Sequence, residues 1–345
     1  MNPSERLEAG IKLTDVALLG AGNMGWRIAQ SLQRLPEVRI RYVYSRSLSR
    51  AERLSKTCGA IPLDRQERIF EDAEVPIVFD CLPTFLRWGS LQKCVASAKH
   101  VFCEKPLALN EAMAGDIRQC LSGYGRIVTV GQVLRFFWEY ARIRQMVLAE
   151  EVGQVGSIRL SRCVGYPGAD SWFADREKSG GVILDLLIHD LDFLRWTCGE
   201  AKTVFAQSTT ASHAGKLEYA LLNIQLESGA IAHLEGSWAH PAGSFQQTVE
   251  ICGSRGMLSY DSLAARSTSW LSTAKIESAP ESKISLPPIE SSDDPYFSEV
   301  AQFIDAVRGK REPAVTWEDA LRSCELAFAA LESVRLGQPV YVPLT

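Results

Sequence analysis

The chain has no C-x-x-C pair: its nine cysteines are scattered from Cys58 to Cys324, and their number is odd. That spacing argues against a zinc ribbon and against a disulfide framework, and leaves small buried apolar thiols in a reducing compartment, the cytoplasm, as the expectation. An excess of positive charge is also missing, since 37 Lys+Arg stand against 41 Asp+Glu for a net charge of -4. Such a chain repels a polyanion unless its cations cluster, so nucleic acid is not expected as a partner. No stretch approaches the ~20 apolar residues of a membrane span, and Met1–Thr14, with Glu5, Arg6, Glu8 and Lys12, has no apolar core of a signal peptide. Glycine (25) and proline (15) are not raised enough for a fibrous or disordered chain. What remains is 345 residues of ordinary globular composition, long enough for two domains.

The first informative stretch is Asp15–Leu19 (D-V-A-L-L), a run fit for a buried strand, followed by Gly20-Ala-Gly-Asn-Met-Gly25 and a helical pattern to Leu35. In a dinucleotide-binding turn Gly20 permits the bend and Gly22 lets backbone lie against a pyrophosphate. Gly25 brings the helix close to the strand, and Asn23 and Met24 sit at the helix start, where N–H groups and the dipole meet phosphate. A methyltransferase also places a glycine turn after its first strand and competes at this point. The second strand, Val38–Tyr44, ends at Ser45-Arg46-Ser47, where a carboxylate would select the free ribose hydroxyls of NAD. Serine plus arginine, with Arg50 nearby, instead offers donors and a planar cation for a 2'-phosphate, which favours NADP(H) over NAD(H). Arg34, Arg39 and Arg41 belong to the same basic stretch and read as a solvated face.

Two more buried-strand runs follow, Val75–Leu82 ending at Pro83 and His100–Cys103 ending at Glu104-Lys105-Pro106. Ligands of an open parallel sheet sit beyond the carboxyl ends of its strands, so Cys81, Leu82, Pro83, Glu104 and Lys105 are placed to meet the dinucleotide or its reaction partner. A lysine there can be a plain surface residue, but one held between a glutamate and a proline ring is better positioned than a surface lysine needs to be.

From Ser157 the period changes to short alternating runs, Ile158–Val164, Thr203–Thr209, Tyr219–Leu226, Ile231–Trp238, Thr248–Cys252 and Met257–Tyr260, which read as antiparallel strands. Residues 278–295 read as a surface excursion, and Tyr296–Arg308 and Glu318–Leu336 as helices. Within this half, Asp185 and His189 lie four apart in L-D-L-L-I-H-D and share a face if the segment is helical. A lone helical His is commonly structural; behind Gly180-Gly181, in a chain that binds a dinucleotide, this pair becomes the candidate for proton transfer. No second His stands at ligand spacing, so no metal is expected.

Taken together, G-A-G-N-M-G, E-K-P-L-A-L-N (Glu104–Asn110) and the segment Gly180–Asp190 resemble the glucose-fructose oxidoreductase, inositol dehydrogenase and MocA-type family of NAD(P)-dependent oxidoreductases. Gly131–Phe136, Gly253–Gly256 and Tyr296, Glu299 and Phe303 extend the resemblance from about residue 14 to the C-terminus. It implies an α/β chain: a doubly wound parallel Rossmann sheet over residues 1–133, then over 134–345 an α/β substrate and oligomerisation domain with an open, mainly antiparallel sheet. The terminal helices would be free to pack back on the first domain, and a homodimer or homotetramer would form through the second sheet. The family's catalytic Lys, Asp and His fall on Lys105, Asp185 and His189. The implied reaction moves hydride between nicotinamide and a secondary hydroxyl or keto group of a sugar, cyclitol or sugar derivative. His189 would take the proton, Lys105 would hold the oxygen, and Asp185 would orient substrate or imidazole. Gln132, Tyr166, Trp172 and Tyr296 are the candidate substrate contacts, with Asp170 and Arg135 beside them. Arg87 departs from the family's histidine after Pro83, which leaves that loop's contacts open. Two rivals stand: a glycosidase that oxidises a hydroxyl transiently, and a nucleotide sensor without turnover.

Overall fold

The computed structural model describes residues 13–167, 171–211, 217–241, 243–264, 268–272, 284–285 and 294–342. By its contacts the chain divides into two compact units, one running to Phe136 and including Ser291–Leu321, the other comprising Phe137–Glu290 and the chain from Arg322 onward. The expected divide after residue 133 falls inside a 3-10 turn, Val133–Phe136. That turn stays with the first unit because Arg135 donates to the Ala314 carbonyl at 2.9 Å and meets Asp319 at 3.2 Å.

The first unit is built on a six-stranded parallel sheet. Its strands are β1 (Thr14–Leu19), β2 (Val38–Tyr44), β3 (Ile61–Leu63), β4 (Ile77–Asp80), β5 (His100–Glu104) and β6 (Val128–Gly131), in the order β3-β2-β1-β4-β5-β6. This is the doubly wound arrangement in which strand order reverses beside β1 and opens a crevice at the carboxyl ends. Helices α1 (Asn23–Gln33), α2 (Leu48–Cys58), α3 (Glu67–Glu71), α4 (Arg87–Ala96) and α5 (Glu111–Leu121) alternate with the strands. Ile28, Ala29 and Leu32 of α1 are buried against β1 and β2. Phe79, Phe102 and Phe303 meet with ring centroids 5.4 to 5.7 Å apart, Phe303 coming from a late helix, Pro295–Val307. The arginines of β2 are partly exposed, as a solvated face requires, but they are also paired: Arg39 is bidentate to the buried Asp15 at 2.6 Å on each bond, and Arg41 reaches Asp15 at 2.8 Å and Asp72 at 3.1 Å. Burial pushes the Asp15 carboxyl up, but the two guanidinium groups outweigh it and hold the group below its usual range.

The second unit carries α6 (Trp138–Leu148), β7 (Val155–Gly165), α7 (Arg176–Ser179), a wide-wound segment Val182–Leu186, and α8 (Ile188–Cys198). Strands β8 (Ala201–Ala211), β9 (Leu217–Leu226), β10 (Ile231–His240), β11 (Phe245–Gly253), β12 (Gly256–Asp261), β13 (Thr268–Ser272) and β14 (Ile284–Ser285) follow. After α9 (Pro295–Val307) and α10 (Trp317–Leu336) comes β15 (Val340–Tyr341), and the nine strands order as β14-β13-β12-β11-β7-β10-β9-β8-β15. The sheet is mainly antiparallel, as expected; of the alternating runs read as antiparallel strands, β7 and β10 pair in parallel. The chain leaves β7 through helices and returns to its edge only after the β8–β9 hairpin, which brings β10 back in the same direction. The helical layer lies close to this sheet: a Cβ on Gly236 of β10 would stand 2.6 Å from Leu187. Most of the excursion expected at residues 278–295 lies outside the described residues.

Candidate functional site

Between β1 and α1 the backbone builds a cradle. Gly20 has φ +105°, and a Cβ there would stand 2.8 Å from the Cys81 carbonyl oxygen, so only glycine fits between the ends of β1 and β4. A Cβ on Gly25 would collide with the Gly20 carbonyl, which fixes how closely α1 approaches the turn. Gly22 differs: nothing of the described structure lies within 4 Å of where its Cβ would be. It is exposed at the N-cap of α1, no side chain caps that helix, and no acidic residue stands in its first turn. Free amides, a positive dipole end and open space at one glycine are what a pyrophosphate needs, so the residues present fit a dinucleotide. Asn23 is exposed and Met24 half-buried in the same first turn.

At the end of β2, Ser45 is buried, and its Oγ accepts from the Ser47 amide at 3.3 Å. Arg46 and Arg50 are exposed, Ser47 Oγ and Ser49 Oγ lie 3.0 Å apart, and no carboxylate bonds to this corner among the described residues. At the end of β4, the chain from Asp80 to Pro83 is held from beneath. Arg87, 1% exposed, donates to the Asp80 carbonyl at 3.1 Å and to the Leu82 carbonyl at 2.9 Å, while the Asp80 carboxylate accepts from the Leu82 amide at 2.9 Å and from Ser90. The residue that departs from the family pattern is therefore an internal brace. Two carboxyl groups share its charge: burial pushes Asp80 up against the pull of Arg87, and burial pushes Glu104 up to about 6 against Arg87 and Lys105. Glu104 ends β5 opposite Gly131, where a Cβ would stand 3.4 Å from its Oε2, and its Oε1 is buried with no partner among the described residues. Gln132 Oε1 and Thr84 Oγ1 are buried in the same condition. Three such polar atoms at the ends of β4, β5 and β6 mark the carboxyl edge as a place for a polar group that the described residues do not supply. Lys105 follows Glu104 half-buried, joined to Pro106 by a cis peptide bond. Tyr296 opens α9 with Arg27 4.9 Å over its ring, and Arg27 and Arg34 both pair with Asp294 just before it.

The second unit holds Asp185 and His189. The segment Val182–Leu186 is wound with i to i+5 bonds, the Leu187 amide reaching the Val182 carbonyl at 3.0 Å, and α8 begins at Ile188. The α-helical spacing assumed from sequence is thus a wide turn running into a helix, a form often found at functional sites. Asp185 is buried and His189 half-buried, while Leu184, Leu187 and Leu191 are fully buried. Beneath His189, Asp190 is bidentate with Arg162 at 2.6 and 3.1 Å, and both are buried. Glu218 of β9 accepts from the Val182 amide at 2.8 Å and pairs with Arg176. Tyr166 has a buried hydroxyl with no partner among the described residues, and Trp172 stacks on Phe173 at 4.0 Å between centroids. Asp170 lies outside the described residues. Arg135 is used within the first unit, as described above, rather than left open to a substrate.

Sequence reasoning missed Arg87 as a brace and Glu218 altogether. Arg87 left a trace, as a departure from pattern; Glu218 had none, because a glutamate in an alternating strand looks like any outward polar residue. A cavity of about 570 Å³ opens where β6 begins, lined by Arg126, Lys310, Arg311 and Trp317 among others. It lies at the amino end of that strand, away from the carboxyl edge where Glu104 and Gln132 stand.

Residues 14–132 match the oxidoreductase family with NAD-binding Rossmann fold, GFO/IDH/MocA, and residues 140–259 match a GFO/IDH/MocA C-terminal domain. Two curated relatives span nearly all of the chain. The uncharacterized oxidoreductase YrbE of Bacillus subtilis (strain 168) is 26% identical over 95% of this chain and 96% of its own. Myo-inositol 2-dehydrogenase of Thermotoga maritima is 27% identical over 92% and 96%. Among solved structures, GenD2 from gentamicin A biosynthesis, in complex with NAD, superposes with a TM-score of 0.84 at 26% identity, covering 97% of both chains.

Proposed function

The chain belongs to the GFO/IDH/MocA oxidoreductases, and from that premise we propose that it moves hydride between a nicotinamide dinucleotide and a secondary hydroxyl or keto group of a sugar, cyclitol or sugar derivative. The observation that carries the reading is the wide-wound segment with Asp185 and the adjoining His189, in a chain whose first unit ends its strands at a glycine cradle and Lys105. The curated myo-inositol 2-dehydrogenase supports a polyol as substrate. Bound nicotinamide supplies the hydride acceptor or donor. Gly20, Gly22, Asn23, Met24 and Gly25 hold the pyrophosphate, Cys81, Leu82 and Pro83 line the way from β4, and Glu104 receives a polar group of the dinucleotide. His189 takes the hydroxyl proton on oxidation and returns it on reduction, since an imidazole can serve as base in one direction and acid in the other. Lys105 places a positive charge on the reacting oxygen as alkoxide character builds. Asp185 orients the substrate or the imidazole, and Gln132, Tyr166, Trp172 and Tyr296 contact the polyol.

NADP(H) is the preferred dinucleotide in this reading, with Ser45, Arg46 and Arg50 around the 2'-phosphate. The setting is the cytoplasm; among the described residues no helix is long and apolar enough to cross a membrane. Self-association as a homodimer or homotetramer uses the sheet face of β7 that carries the exposed Ser157 and Arg159, opposite the buried Ile158, Leu160 and Arg162.

The test is a titration with NADPH and NADH by nicotinamide fluorescence, followed by inositols, aldoses and keto-sugars at the nicotinamide absorbance. Turnover on one member carries the reading; tight binding with no turnover on any member overturns it, and a glycoside hydrolysis assay then separates the glycosidase from the sensor. Arg46→Ala is expected to weaken NADPH by about tenfold, close to 1.4 kcal/mol, and NADH much less. Equal losses would remove the phosphate preference.

A further inference from the structure

A helical segment starting at Val182 opens with amide groups that no preceding turn can satisfy. The ordinary solution is a Ser, Thr, Asp or Asn at the N-cap. Here the N-cap is Gly181, which has no side chain, and the preceding residue is Gly180, both with positive φ. The cap comes instead from β9, 36 residues along the chain, where Glu218 accepts the Val182 amide through Oε2 at 2.8 Å. Its other oxygen pairs with Arg176, whose guanidinium also reaches Ser208 at 3.3 Å. Glu218 is only 4% exposed. Gly181 makes the room, since a Cβ there would stand 2.9 Å from Glu218 Oε2 and 3.1 Å from Arg176 Nε. The Gly181 amide is taken by Ser179 Oγ at 3.0 Å, and Ser179 in turn donates to the Phe173 carbonyl at 2.8 Å.

We propose that Glu218 is a positioning residue for the reaction: by capping the segment at Val182 from the sheet, it sets where Asp185 and His189 stand. The proposal takes its activity readout from the hydride-transfer reading above. A glycine pair alone would let the segment start in many places; a carboxylate fixed on a strand allows one. The bond from the Leu187 amide to the Val182 carbonyl ties the start of the segment to the residue before α8, so a displacement at Val182 is carried through Asp185 to His189. The role is one of reach rather than charge, because what Val182 needs is an oxygen at that point.

Two substitutions separate reach from charge. Glu218→Gln keeps an oxygen within reach of the Val182 amide and gives up the charge and the pairing with the half-exposed Arg176; Glu218→Asp keeps the charge and falls one methylene short. The expected result is that Glu218→Gln retains kcat within threefold, while Glu218→Asp loses at least tenfold in kcat, with the polyol KM and the NADPH Kd changed by less than threefold. The amide of Val182 supplies a readout that needs no turnover: hydrogen–deuterium exchange of the 180–187 stretch is expected to stay slow in wild type and Glu218→Gln and to speed up at least tenfold in Glu218→Asp. If wild type turns over no polyol but exchange follows this pattern, the capping stands and the function reading falls. Retained kcat in both variants, loss in both, or loss in Glu218→Gln alone overturns the proposal.

Discussion

The two units prepare for chemistry with different materials. The first works mainly with backbone and space: Gly20 and Gly25 admit no side chain, Gly22 faces open room, and the strand-end loop at Asp80–Pro83 is held by an arginine donating to carbonyl oxygens. The second works with side chains whose positions are set by partners distant in sequence, Glu218 above the segment and Arg162 below it. A backbone cradle suits a ligand recognised by its phosphates, which any amide can bind; proton transfer needs one imidazole in one place. The difference teaches that a glycine cradle can be specified locally, whereas the placement of Asp185 and His189, the proposed proton-transfer pair, depends on the whole unit being folded.

The strongest way to break that comparison is at His189. If the second unit supplies the proton carrier, His189→Ala should lower kcat by roughly 10²- to 10⁴-fold while leaving the NADPH Kd nearly unchanged, because none of the cradle is touched. A loss of less than threefold in steady-state kcat would move the proton to another group. A loss shared equally with dinucleotide affinity would mean the two ends are not separable as argued.

Next comes the ion pair under the site. Arg162 and Asp190 are both buried and bidentate, with the Tyr140 hydroxyl 3.5 Å from the guanidinium and itself bonded to Gln247 at 2.7 Å. Removing one partner leaves a buried charge uncompensated, so Arg162→Leu should cost about 3–5 kcal/mol in denaturant unfolding. Replacing both, Arg162→Leu with Asp190→Leu, should recover most of that loss. If the double variant were as unstable as the single, the packing of Arg162 rather than its charge would be what the second unit needs.

These particulars also mark what could be read before the fold was known. The β1 strand, its glycine turn and the strands ending at Asp80 and Glu104 are local patterns, each carried by a few consecutive residues, and the structure forms them, with β4 shorter at both ends than the run Val75–Leu82 implies. The strands of the second unit were legible too, from alternation. What alternation cannot give is partner and direction, so the parallel pairing of β7 with β10 was missed. Nor does it show that Asp15 would gather Arg39 and Arg41, or that Val182 would find its cap on β9. The i, i+4 reading placed Asp185 and His189 on one helix face, but the winding that joins them is wider over Val182–Leu186. Motifs are visible where the chain meets itself at short range and invisible where it meets itself across a sheet.

A smaller effect tests how the first unit carries charge without a matched pair. Burial raises the Glu104 carboxyl from 4.5 to about 6. For an acid held higher in the folded state than in the unfolded one, the stability contribution is complete below pH 4.5 and is lost as pH rises through 6. The size is about 2 kcal/mol. Wild type minus Glu104→Gln, measured as unfolding free energy from pH 4 to 7.5, should therefore fall with rising pH by that amount and flatten above it. A flat difference would mean that Arg87 and Lys105 compensate the buried charge fully, making this corner resemble the Arg162–Asp190 pair of the second unit.

The mildest substitution bears most directly on the contrast between backbone and side chain. Gly22 has φ -88° and ψ -169°, a conformation open to any residue, and no neighbour within 4 Å of its missing Cβ. Nothing among the described residues therefore asks for glycine at this position, and Gly22→Ala should leave the thermal midpoint within about two degrees of wild type. If the open room belongs to the pyrophosphate, the added methyl should still weaken NADPH and NADH alike by about tenfold, near 1.4 kcal/mol. Equal loss for both dinucleotides matters, since they share the pyrophosphate and differ only at the 2' position, which the proposed function assigns to Ser45 and Arg46. Unchanged affinity with unchanged stability would mean that neither fold nor ligand uses the absence of a side chain at Gly22, and the first unit would then have to hold its phosphates with side chains, as the second holds its imidazole.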